Sequence, residues 1–128
     1  MIEKLVLVAL GGAVGASARF LVVNAALRVL GPAFPWGTLI VNVLGSVAMG
    51  MVVTLLVERV PAAGDRLAPL VMTGVLGGFT TFSAFSLDAI QLIERERWLA
   101  VTGYVTSSVL LSIIGLALGM MLTRAAIS

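Results

Sequence analysis

Four stretches of this chain carry no charged residue at all: Leu5 to Ala18, Val29 to Val57, Leu67 to Leu87 and Trp98 to Thr123. A helix needs about 20 mostly apolar residues to cross the hydrocarbon of a bilayer. Each stretch therefore reads as a membrane span, the first extended past Arg19 because apolar residues resume through Leu27. Charged residues make up only 11% of the chain, whereas a soluble domain carries about a quarter, so the solvent is lipid. The expected fold is all-α and integral to the membrane, a single domain over 1–128 with helices near 4–30, 35–59, 67–94 and 98–124. Spans and short connections use up the sequence, leaving no length for an extramembrane domain.

The chain has no Cys and no His, which removes disulfides, thiolate and imidazole metal ligands, nucleophilic Cys and the usual general base together. An enzyme is not expected. The isoelectric point near 9.9 reflects an excess of two positive charges scattered between helix ends. Nucleic acid is a poor match, because it asks for a clustered basic patch. Lys4, a short apolar run and Ala16-Ser17-Ala18 imitate a secretory signal with its cleavage site. The glycines in that run suit helix packing better.

Gly31-Pro32 stops the first helix, and Pro35 and Trp36 open the second. Pro61 to Arg66 reads as a polar loop, and Glu94-Arg95-Glu96-Arg97 closes the third helix before Trp98 anchors the fourth at the interface. With four spans, Lys4, Arg59, Arg66 and Arg124 fall on one side and Arg28, Arg95 and Arg97 on the other. The Lys and Arg bias of loops sets orientation. A near tie predicts copies inserting both ways and an antiparallel homodimer with its two-fold axis in the membrane plane, unless one extra charge suffices to orient the chain.

Small residues recur four apart in every span: Gly11 and Gly15, Ser46 and Gly50, Gly74 and Gly78, Gly115 and Gly119. Such pairs let helices approach closely in lipid. Four helices enclose a pore poorly, so a second copy is the expected use of so many small faces.

The segment from Gly74 to Phe85 holds three glycines, two adjacent threonines and three phenylalanines. Irregular backbone at membrane depth is tolerated only where it is buried in protein or lines a hydrated cavity. The third helix is thus expected to be broken near Gly77 to Thr81, beside an ion or substrate path.

Arg19 is the only charge deep within an apolar span, at a cost of about 3 to more than 10 kcal/mol depending on its reach toward water. It either braces a helix or raises the anion concentration at a pore mouth. Thr38, Asn42, Ser46 and Gly50 share one face of the second helix, and Tyr104, Ser108 and Ser112 one face of the fourth. Either stripe also serves as interhelical hydrogen bonding, worth about 0.6 kcal/mol per contact. As a lining, the two stripes offer neutral donors and no acidic ring to attract cations. Phe82 and Phe85, three apart after the break, have the spacing of core packing. Their ring edges are positive, however, and can meet a small anion.

Three blocks closely resemble the Fluc (CrcB-type) fluoride channels of microorganisms: Gly11 to Phe20, Gly37 to Gly45, and Gly74 to Phe85. The resemblance covers essentially the whole chain, and the third block is the most specific. It implies a dual-topology antiparallel homodimer in the inner (plasma) membrane, with two pores passing fluoride passively out of the cytoplasm and excluding chloride. It places Phe82 and Phe85 in the pore, Asn42 beside the anion path, and Tyr104, Ser108 and Ser112 along a polar track; Thr81 and Ser83 are expected to supply hydroxyls to the path in place of the Thr absent at Ala84. It further implies a structural Na⁺ on the dimer axis, held by the backbone carbonyls of Gly77 and Thr80. Two positions depart from the family pattern: Ala84, where Thr is common, and Asp88, where Glu is common.

Two other classes compete with this reading. A small dual-topology multidrug antiporter needs a membrane-embedded carboxylate, and every acid here lies near a span end or a loop. A non-conducting assembly subunit would use Asn42 and the phenylalanines for packing alone.

Overall fold

In the computed structural model, which describes residues 1–128, the chain is helical nearly throughout. Helix one runs Ile2–Leu30, helix two Trp36–Glu58, the third span Pro61–Glu94 and helix four Trp98–Ile127. All four are long and apolar enough to cross a membrane. Helix one packs mainly on the third span, and helix two on helix four. Only 20 of the 128 residues are buried, so most apolar surface points outward, where lipid or another chain must cover it.

Gly31 ends helix one with φ 82°, donating its N–H to the Leu27 carbonyl. A residue with a Cβ is strained there. The expected polar loop at Pro61 to Arg66 is instead wound into helical turns, Pro61–Ala63 and Gly64–Leu67. Proline fits the first position of such a turn because no partner is needed for its missing N–H. The third span therefore begins six residues earlier than the expected 67. Ion pairs Glu3–Arg66 (3.1 Å) and Glu58–Arg124 (3.0 Å) tie the helix ends together at this side.

The third span is where regularity fails. Ala68–Leu76 is wound as a π-helix, Gly77–Phe79 completes a short α turn, and Phe82–Glu94 is an α-helix again. Between them only Thr80 (φ −88°, ψ 158°) and Thr81 (φ −153°, ψ 121°) are extended. The break expected over Gly77 to Thr81 is thus confined to the two threonines, and the glycines stay helical. Their small size is used sideways. A Cβ on Gly74 would lie 2.9 Å from the Gly11 Cα, and one on Gly78 would lie 2.8 Å from the Gly12 carbonyl. β-Branched threonine suits extended backbone, and Thr81 also caps the second half, its hydroxyl accepting the Ala84 N–H at 3.1 Å.

The small faces expected to receive a second copy are instead largely filled from within the chain. Gly11 and Gly15 meet the backbone of Leu70 to Phe79, while Gly50 meets Leu116 and Gly119 meets Val47. These seams lie inside one chain and build the helix one–three and two–four pairs.

Candidate anion groove beside the helix break

Asn42, in the second turn of helix two, is what meets the break. Its Nδ2 donates to the Thr81 carbonyl at 3.0 Å, and its Oδ1 accepts the Thr81 N–H at 2.8 Å. One amide side chain therefore satisfies both backbone groups of an extended residue at membrane depth, where unpaired groups are expensive. Thr80 sends its hydroxyl to the Leu76 carbonyl (2.9 Å). Arg19 donates Nε–H to the Gly78 carbonyl at 3.1 Å, placing a cation on the negative end of the first helical half.

These substitutions leave two carbonyls without their usual donors. In a continuous helix the Thr81 N–H would reach Gly77 and the Ala84 N–H would reach Thr80. Here Asn42 and the Thr81 hydroxyl take them. Gly77 and Thr80 thus present neutral oxygens of the kind a hard cation takes, and the donor set fits Na⁺ in type. Two oxygens alone are too few to complete the shell of such a cation.

On the other side of the break lies an open groove of about 430 Å³, lined among others by Asn42, Ser46, Thr80, Thr81, Phe82, Phe85, Ser108 and Ser112. No charged residue lines it. The Phe82 and Phe85 rings lie 5.4 Å apart and tilted at 48°, with Phe82 77% exposed. Ser108 is buried, and its hydroxyl has no hydrogen-bond partner, an uncommon state that leaves a donor available to a ligand. Phe82–Glu94 begins here, so the positive end of its dipole faces the same region.

The groove gathers helix two, the break and helix four, as the polar stripes and the Phe pair suggest, but it omits four of the expected residues. Ser83 is exposed and reaches only the Thr81 hydroxyl at 3.5 Å. Arg19 lies on the helix-one side of the break, and Gly77 does not line the groove. Tyr104 is fully buried behind Phe85, ring centroids 5.2 Å apart, and donates its hydroxyl to Asp88 Oδ2 at 3.0 Å. Asp88 is the residue that sequence reasoning undervalued. Its spacing of seven from Arg95 was the available signal, since it puts both on one helix face.

The family model described as "CrcB-like protein, Camphor Resistance (CrcB)" matches residues 6–120. The chain belongs to the CrcB family. Among similar CrcB relatives, the "Fluoride-specific ion channel FluC" of Cereibacter sphaeroides is 55% identical over 124 residues, covering 97% of each chain. Proteins of the same name from Chelativorans sp. and a Rhizobium etli strain are 52% and 50% identical; the alignments cover 94% and 98% of this chain and 95% and 98% of the relatives. With its four apolar helices, this CrcB chain is a multi-pass membrane protein.

Proposed function

We propose that this chain is a passive fluoride-selective channel that lets fluoride leave the cytoplasm, working as an antiparallel, dual-topology homodimer with two pores. The observation that carries the reading is the groove at Thr80–Thr81, where hydroxyls, an amide and two phenylalanine side chains converge with no charged side chain. The relatives, each named a fluoride-specific ion channel, supply the ion.

Even a carboxylate-sized ion meets an idealised cost of about 20 kcal/mol on entering a low-dielectric medium, and fluoride is smaller still. Every water it sheds must be replaced at once. The Ser108 hydroxyl has no protein partner, and Asn42 keeps a second Nδ2–H beyond the one given to Thr81. The Thr81 and Ser112 hydroxyls and the edges of Phe82 and Phe85 continue the series, with Tyr104 and Ser83 flanking it. Chloride needs a wider path, which a lining fixed by packed rings and helix backbone does not give.

A second, inverted copy is supported by the exposed groove and by the near balance of Lys and Arg across the membrane. The Gly77 and Thr80 carbonyls of two such copies would hold the Na⁺, which when bound supplies the positive charge that keeps facing carbonyls together. Elemental analysis should then find about one sodium per two chains after exchange into a large organic cation's salt, as a closed oxygen cage would retain. A fully conducting preparation without sodium would remove that assignment.

Liposomes decide the main reading. At neutral pH and without a proton gradient, vesicles containing the protein should release fluoride rapidly once counter-charge is allowed to move, and retain chloride. Equal leakage of both ions, or of neither, sinks it. In cells, a C-terminal tag should be reachable from both membrane faces; labelling from one face alone contradicts dual topology.

A further inference from the structure

We infer that a second cavity is the other mouth of the conduction path and that Arg95 is the charge that draws the anion into it; the inference rests on the channel reading above. The cavity, about 190 Å³, lies between the end of helix one, the Gly31 to Pro35 turn, and the face of the third span that carries Asp88, Gln91 and Arg95. At ~30 Å³ per molecule it has room for about six waters. Its wall is continuous with the groove: Phe85 lines the groove, Tyr104 packs behind Phe85, and Tyr104 donates to Asp88, which lines the cavity. The Phe85–Tyr104–Asp88 contacts thus link the linings of the two hollows.

A carboxylate at the inner end of that cavity repels an anion. Asp88 has the Tyr104 hydroxyl on one oxygen, and Arg95 stands two helical turns farther out on the same face. The molecule's two ion pairs, Glu3–Arg66 and Glu58–Arg124, lie at the opposite end of the bundle, so neither engages Arg95. Other cations at this end are differently placed. Arg97 is latched onto the Ala33 carbonyl, and Arg28 does not line the cavity. Arg95 is thus the one lining cation, a positioning charge and not a ligand that must touch the ion at the ring pair. As a helix C-cap charge alone it would affect stability, yet it would not make conduction depend on salt.

Fluoride flux through reconstituted dimers, read at low and high concentrations of an impermeant salt, tests this. Screening reaches ~30 Å at 0.01 M and ~3 Å at 1 M. Arg95→Gln should lower flux on the order of threefold to tenfold at low salt, and this deficit should close at high salt. Arg95→Lys should retain wild-type flux, and Arg28→Gln should show a much smaller deficit. Gln91→Lys, which adds a cation to the same cavity, should raise low-salt flux and keeps the test open if Arg95→Gln fails to assemble. Unchanged low-salt flux in Arg95→Gln, a loss equal at both salts, an equal loss in Arg28→Gln, or no gain in Gln91→Lys overturns the inference. Absence of fluoride flux in the wild type instead overturns the channel reading itself.

Discussion

Phe85→Ile is expected to cut fluoride flux by about a hundredfold while the dimer still purifies as a single species. The expectation comes from what the substitution keeps and what it removes. Phe85 packs against the cluster of Leu39, Leu92, Val101 and Tyr104, and isoleucine fills most of that volume, so the stability change should stay below about 1.5 kcal/mol. The positive ring edge is lost altogether. In a water-poor passage nothing else at that point replaces the shed hydration, and about 2.7 kcal/mol of added barrier is a hundredfold in rate. Phe82→Ile should act in the same direction, with less effect on stability because Phe82 is largely exposed in the single chain. Flux measured against thermal stability separates the two roles. If both variants conduct as the wild type does, the rings only pack and the pore lies elsewhere.

The spans were legible because lipid imposes a simple demand, an uncharged run of sufficient length, and the sequence meets it four times. The break was legible only in part. Glycine and threonine both signal irregular backbone, and composition does not say which of them breaks a helix and which packs it. That depends on the neighbour. Gly74 and Gly78 face Gly11 and Gly12 at a distance no Cβ allows, a contact spanning more than sixty residues that no local pattern encodes. For the same reason the small-residue pairs read equally well as surfaces for a second copy. The π-winding of Ala68–Leu76 has no sequence signature at all beyond Pro69, whose missing N–H tolerates a displaced bond.

Site residues divide along a similar line. Periodicity placed Asn42 and Ser46, and Ser108 and Ser112, on common faces, and these faces do converge on one groove. Direction along a face is harder. Tyr104 shares its stripe with Ser108, yet its long side chain carries the hydroxyl past the groove to Asp88. Arg19 illustrates the remaining ambiguity. Steering and bracing predict the same residue in the same span, and only the 3.1 Å contact with the Gly78 carbonyl shows what its Nε does. The rest of the guanidinium is free to contribute potential, so the bracing contact and a vestibule role are compatible.

Asn42→Ala should abolish most fluoride conduction by a route different from the phenylalanines. Asn42 does more than offer a donor to the groove: it supplies both hydrogen bonds that an extended Thr81 needs. Removing it leaves an N–H and a C=O at membrane depth, each costing about 1 to 3 kcal/mol when buried without a partner. The nearest remedy is local. If Thr80 and Thr81 return to helical angles, the Thr81 N–H regains the Gly77 carbonyl. That repair closes the break and withdraws both oxygens proposed for the cation, because the Ala84 N–H then returns to the Thr80 carbonyl. About 2 kcal/mol of lost support lowers the population of the broken form about thirtyfold, and conduction should fall at least as far. Asn42→Asp keeps the acceptor for Thr81 N–H but loses the donor and adds a negative charge to an anion path, so its flux should be lower still. Sodium retention provides the independent readout, because the healed helix should hold the ion poorly in Asn42→Ala, whereas Phe85→Ile should hold it as the wild type does. An Asn42→Ala protein that conducts fluoride normally would mean that the break stands without this side chain, and the groove would lose the residue around which it is organised.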